Sequence, residues 1–238
     1  MLKKLCALFR DLTRFERVLW ITSLILVTVS FLASPEKNVL SLIASLIGVT
    51  ALIFLAKGYV IGQVLIIVFA VFYGLISFYF RYYGEMITYL GMSTPIAVLA
   101  VISWVRNPFQ GTKEVRVHRV TWKEILILFV LAVPVTVLFY FLLGYLGTEN
   151  LIVSTLSVTT SFLAASMTFL RSPYYALLYS VNDLVLITLW VLATVEDIAY
   201  LPMIVCFVVF FVNDFYGFIS WKRREKRQNA ILRSKETA

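Results

Sequence analysis

Long apolar runs recur along the chain, near residues 18–33, 39–55, 59–80, 86–105, 124–144, 151–169, 173–194 and 199–221, and nothing else in the sequence limits its fold so tightly. Crossing the hydrocarbon of a bilayer takes about 20 mostly apolar residues. Lipid offers the backbone no hydrogen-bond partner, so a run that enters it must close its own bonds as a helix. The runs predict an all-α integral membrane protein of eight transmembrane helices, most joined by short turns and therefore antiparallel to their neighbours. Composition points the same way, since only 14% of the residues are charged, against about 25% in a soluble domain. A net charge of +8 would suggest nucleic acid in a soluble chain. Here the basic residues lie between apolar runs, so the lipid bilayer is the expected partner and nucleic acid is not.

The charges also give an orientation. Nineteen of the 21 Lys and Arg residues fall on one side of the alternating spans: in the first 17 residues, at Lys57, in the 106–123 loop, at Arg171 and in the tail after Trp221. The other side holds only Lys37 and Arg81. Basic loops stay cytoplasmic, so both termini of this multi-pass protein are expected there. The first run resembles a signal peptide in being preceded by basic residues, but Ser34-Pro35 follows it without a small-x-small cleavage site, and it is read as a retained helix. Cys6 and Cys206 lie in a tail and a span, with neither a disulfide framework nor a CxxC pair.

An internal repeat emerges from ordered matches. Asn38 through Lys57 parallels Asn150 through Arg171, Glu85-x-x-x-Tyr89-Leu90-x-Met92 parallels Glu196-x-x-x-Tyr200-Leu201-x-Met203, and Ser103-Trp104 before a basic residue parallels Ser220-Trp221 before another, at offsets of 111 to 117. The expected organisation is a tail and extra helix over 1–37, a three-helix repeat over 38–105, a loop and linker helix over 106–149, a second repeat over 150–221 and a basic tail over 222–238. One helix between two three-helix units makes the repeats parallel (3+1+3). Transporters built this way bind solute at the repeat interface near the midplane.

Polar side chains inside the spans are the candidate site. The spans hold no Lys or Arg, and only two acidic residues lie well inside, in Asn182-Asp183 and Asn213-Asp214. A carboxyl at membrane depth is costly, so it should face the bundle interior or a wet cavity. Asn182 and Asp183 fall near the midplane, with Tyr175, Tyr179 and Trp190 at helical spacing around them. Asn213 and Tyr216 form a similar stripe, and the first repeat offers Gln63, Tyr73, Glu85 and Tyr89. Carboxylates can balance a cation, amides can pair an amide or hydroxyls, and flat rings can stack on a flat or cationic ligand. Simpler roles compete. An intramembrane Asn can serve only to bond a neighbouring helix, and the Ser/Thr-rich 151–169 helix is read as close packing. Asp214 is read as a partner of nearby cations, Glu85, Glu196 and Asp197 as solvated helix ends, and Trp104, Trp122 and Trp221 as an interfacial belt.

Catalytic and metal motifs do not accompany these groups. His118 is the one histidine and sits in a basic loop, and no HExxH, Ser-His-Asp set, Walker loop or Rossmann glycine pattern occurs. No catalytic residue, metal ligand or cofactor is expected. A solute carrier fits better than an enzyme, and a homo-oligomer is compatible with the sequence.

With these elements placed, residues 38–222 resemble the PnuC family of bacterial nicotinamide riboside transporters, relatives of the SWEET sugar transporters. The resemblance rests on the 3+1+3 layout with NDLVLITLW at 182–190, EDIAYLPM at 196–203 and NDFYGFISWKRR at 213–224. It implies facilitative uptake of nicotinamide riboside through a central site, followed by capture through cytoplasmic phosphorylation. Many family members carry Trp-x-x-Trp-x-x-x-Asn in the second helix of the second repeat. Aligning that Asn with Asn182 puts Tyr175 and Leu178 at the tryptophan positions, so either Tyr175 or Tyr179 is left to supply a stacking ring. Other vitamins, nucleosides or sugars, and a role as the binding subunit of an ATP-driven importer, are the alternatives.

Overall fold

The structure is a computed structural model that describes residues 8–34, 39–79 and 83–236. Lys3, Lys4, Cys6, Pro35, Lys37, Asn38 and Arg81 lie outside the described residues. Among the described residues eight long helices run in order: α1 Arg14–Ala33, α2 Val39–Ala56, α3 Val60–Tyr79, α4 Tyr83–Arg106, α5 Trp122–Tyr145, α6 Leu151–Phe169, α7 Tyr174–Glu196 and α8 Leu201–Glu236. Seven are long and apolar enough to cross a membrane, and α3 is apolar over the shorter Val60–Leu75. Among the described residues the only extended pairings are two isolated bridges, Tyr59 with Glu114 and Pro108 with Val115. Large apolar side chains such as Phe129 (59%) and Phe141 (69%) on α5 are exposed, as a lipid-facing surface requires.

Local sequence explains several helix ends. Thr13 and Glu16 form a capping box at the start of α1, with Thr13 N donating to Glu16 Oε2 over 2.7 Å. Glu16 then serves twice more. It pairs with Lys57 at 3.1 Å and accepts from the Tyr216 hydroxyl at 3.0 Å, so one buried carboxylate ties α1 to the α2–α3 turn and to α8. Thr121 and Glu124 form the same box at the start of α5. Within α4, residues Thr88–Ser93 wind as a π-helix, which a continuous span over 86–105 does not anticipate. The signal was Pro95, whose missing N–H breaks the regular ladder. The backbone re-registers ahead of it, and Thr94 Oγ1 donates to the Tyr89 carbonyl.

α8 continues as one helix to Glu236, so the tail expected to begin at residue 222 is helical. No Gly or Pro interrupts residues 218–236, and Lys222 pairs with Glu225 one turn on at 2.6 Å. The extension clamps the 106–121 loop: Gln228 accepts from Val117 N (2.9 Å) and donates to Val115 O (3.0 Å), and Arg227 pairs with Glu114.

Trp104 and Trp221 are fully buried rather than interfacial, whereas Trp122 is 75% exposed. Ser103 Oγ and Trp104 Nε1 on α4 donate to Phe169 O and Thr168 O at the end of α6, each at 2.9 Å. Ser220 Oγ and Trp221 Nε1 on α8 donate to Ala56 O and Leu55 O at the end of α2, each at 2.8 Å. The last carbonyls of a helix lack intrahelical donors, and these crossed bonds add to the turn bonds that Leu55 O and Thr168 O accept from Gly58 N and Arg171 N. The two indoles meet at 5.3 Å between ring centres.

Close approach of α2 and α3 depends on Gly62. A Cβ there would lie 2.6 Å from the Leu55 backbone nitrogen, which cannot rotate aside. Gly62→Ala is expected to lower stability by about 1–3 kcal/mol, read as a lower melting temperature in detergent. An unchanged melting temperature would show that the helices separate freely.

Candidate functional site

A cavity of about 530 Å³ opens inside the bundle. Its mouth lies where exposed Glu149, Asn150, Glu196 and Asp197 end α5, begin α6 and close α7, away from the basic loops. From there it descends between α3, α4, α6, α7 and α8 to Asp183, Asp214 and Leu55. Beneath that floor Tyr175 packs edge to face on Trp221, which meets Trp104 at a tilt, all three in full burial.

The walls are aromatic. Phe69, Tyr73 and Tyr89 cluster, with Tyr73 and Tyr89 4.6 Å apart. Phe210 meets Phe69 at 6.2 Å and Phe207 at 5.7 Å, and Trp190 lies nearly parallel to Phe207 (14°, 6.5 Å). The π-helical stretch of α4 supplies Thr88, Tyr89 and Ser93 to this lining.

Polar groups converge between the aromatic walls. Asn182 Oδ1 accepts from Thr160 (2.7 Å) and Ser161 (3.1 Å). Asp183 and Asp214 meet side chain to side chain at the floor, both buried. No donor reaches Asp183 Oδ2, and neither Gln63 Nε2 nor Trp190 Nε1 finds an acceptor among the described residues. Buried polar groups are normally paired, so three orphans on one cavity mark where a polar solute can bond. Six lining residues are acidic, namely Glu85, Glu149, Asp183, Glu196, Asp197 and Asp214, and no described lining residue is Lys, Arg or His.

Of the residues singled out by sequence, Asn182, Asp183, Tyr179, Trp190, Gln63, Tyr73 and Tyr89 line this cavity. Tyr175, Asn213 and Tyr216 do not. Tyr175 lies below the floor against Trp221, Asn213 Nδ2 donates to Ser23 on α1 (2.9 Å), and Tyr216 is bonded to Glu16. All three are claimed by neighbours that the helical stripe alone does not reveal. Among the described residues Asp214 has no cationic partner and faces Asp183, which replaces the ion-pair role expected for it. Glu85, Glu196 and Asp197 border the mouth rather than open solvent alone, and Glu85 accepts from Ser77 at 3.4 Å. Sequence reasoning missed the α6 hydroxyls. Ser154, Ser157 and Ser161 stand at i, i+3 and i+7, one helical face, and all three reach the cavity. Among the described residues no cluster of metal-ligating side chains forms.

Comparison with known proteins follows the same lines. The family model for the nicotinamide mononucleotide transporter matches residues 38–223. The chain is 26% identical over 227 residues to the nicotinamide riboside transporter PnuC of Neisseria mucosa, covering 93% of this chain and 86% of that one. Its fold matches the crystal structure of the vitamin B3 transporter PnuC with a TM-score of 0.79 at 25% identity, over 93% of this chain and 96% of the other. The chain therefore belongs to the nicotinamide mononucleotide transporter family, and is a multi-pass membrane transporter rather than an enzyme.

Proposed function

We propose that the chain carries nicotinamide riboside into the cell by facilitated alternating access, with its basic end in the cytoplasm of a bacterium and the cavity facing outward. The observation that carries this reading is a cavity with aromatic walls, six carboxyl residues and no described basic residue. Nicotinamide riboside presents a flat pyridinium cation, a carboxamide and a ribose. Aromatic faces attract such a cation, and Asp183 at the floor can balance it. Asn182 has its oxygen occupied by Thr160 and Ser161, which leaves its amide hydrogens for the carboxamide oxygen. Gln63 and Trp190 offer further donors at the wall. The mononucleotide adds a phosphate, and its charge opposes the carboxyl lining. The riboside, which the Neisseria relative's name also specifies, is therefore favoured.

The alternating machine is read as two parallel units, 38–105 and 150–221, linked by α5. The crossed Ser-Trp bonds support it, because each unit's third helix grips the end of the other unit's first. The 19-to-2 division of basic residues supports the orientation.

Labelled nicotinamide riboside should enter proteoliposomes until it equilibrates, without a proton or sodium gradient. The mononucleotide should compete at least about tenfold less well, an effect expected from like charges in a confined site. Accumulation driven by either gradient would replace facilitated with coupled transport. Equal competition by the mononucleotide would remove the charge argument.

A further inference from the structure

A second pocket, of about 340 Å³, lies at the basic end, opposite the mouth of the solute cavity. Three regions distant in sequence build it. Asn107 follows α4, Arg116, His118 and Arg119 come from the loop before α5, Arg171 sits in the turn between α6 and α7, and Asn229 projects from the extension of α8.

A basic end is by itself an ordinary mark of membrane orientation. This cluster differs in how its arginines are held. Arg171 adopts φ 57°, the left-handed region that favours glycine. The corresponding turn after α2 has the same bond pattern and does use a glycine, Gly58 at φ 67°. The α6–α7 turn thus bears backbone strain at a residue whose side chain enters the pocket. That side chain is half-buried. One of its terminal nitrogens donates to Ser103 Oγ at 2.5 Å, while its Nε is buried without an acceptor among the described residues. No carboxylate within ion-pair distance of Arg171 or Arg116 occurs among the described residues. His118 and Arg119 are partly compensated, by Glu124 at 2.9 Å and Glu225 at 3.5 Å. Burial and the charge of Arg116 depress the pKa of Arg171, with Glu124 opposing them. Main-chain bonds fix the scaffold: Arg116 N donates to Asn107 O at 2.8 Å, and His118 N to Arg171 O at 3.1 Å.

Arg116 and Arg171 line one pocket, Arg171 with an orphan buried N–H, and neither guanidinium has a carboxylate partner among the described residues. A phosphate group suits them, since its oxygens accept the parallel bonds that a guanidinium donates. We propose that this pocket binds a phosphate group through Arg116 and Arg171, with Asn107 and Asn229 as further donors. The phosphate can come from the headgroup of an anionic phospholipid, for which basic pockets between transmembrane helices are a recurrent site, or from a soluble phosphorylated metabolite. Because it joins the end of α4, the α6–α7 turn and α8, an occupant would brace the segments that close the basic end in this conformation.

The test uses the full chain, delipidated in detergent. Native mass spectrometry compares retention of phosphatidylglycerol with phosphatidylcholine, and microscale thermophoresis follows inorganic pyrophosphate. Selective retention of phosphatidylglycerol identifies a lipid site, and pyrophosphate binding a soluble one; either supports the proposal if it weakens at least about tenfold, the scale of lost charge-assisted bonds, in Arg116→Gln and in Arg116→Gln/Arg171→Gly. Arg116→Gln changes an exposed residue, and glycine suits the backbone at 171, so both variants should fold and keep binding nicotinamide riboside. The control Arg223→Gln/Lys226→Gln removes two charges outside the pocket and should bind like wild type. Absence of both ligands, or an equal loss in the control, would overturn the site.

Discussion

Trp104→Ala and Trp221→Ala are each expected to destabilise the protein by about 3–5 kcal/mol, the range for deleting a fully packed large aromatic. Each indole is fully buried, and each donates Nε1–H to the last carbonyls of a helix from the other half of the chain. Truncation removes packing and one buried hydrogen bond, while Leu55 O and Thr168 O keep the turn bonds they accept from Gly58 N and Arg171 N. The rings touch, so the double variant should lose less than the sum of the single losses. Trp→Phe at either place keeps most of the packing and drops only the hydrogen bond, for a loss of about 1–3 kcal/mol. Unfolding in detergent, followed by near-ultraviolet circular dichroism, measures all of these. Alanine variants within 1 kcal/mol of wild type would mean that the two halves are not held together at this crossing.

Asp183→Asn should weaken nicotinamide riboside binding about 10- to 100-fold, as removal of a charged hydrogen-bonding partner from a buried site does. The change preserves shape, and Asp214 remains beside it. A neutral analogue should lose much less. Asn182→Leu should cost about 0.5–1.5 kcal/mol of affinity for both. Its fold should survive, because Thr160 Oγ1 also reaches the Leu156 carbonyl and Ser157 O. Calorimetric titration of charged and neutral ligands separates the two roles. Wild-type affinity in both variants would move the solute away from the α7 wall, and equal losses for charged and neutral ligands on Asp183→Asn would discard its counter-ion role.

Much of this protein was legible from sequence because lipid leaves the chain little choice. A long run that cannot reach water must be a helix, so apolar content located the spans, and the distribution of Lys and Arg pointed to a sidedness without reference to packing. The Asn182-Asp183 pair was visible for the same reason, since polar groups at that depth need a partner or a cavity. Tertiary structure decided depth and rotation. Tyr175 and Tyr179 belong to one stripe of α7, yet Tyr179 lines the cavity and Tyr175 packs beneath it, one turn nearer the basic end. Periodicity assigns a face but not a depth along it. Asn213 and Asp214 are adjacent and point about 100° apart. Only the docking of α1 against α8 turned Asn213 to Ser23 and left Asp214 for the cavity. Trp104 and Trp221 had the sequence signature of an interfacial belt. Their burial rests on carbonyls at the ends of α6 and α2, more than 60 residues away in each case, and bonds at that separation exist only once the bundle has closed.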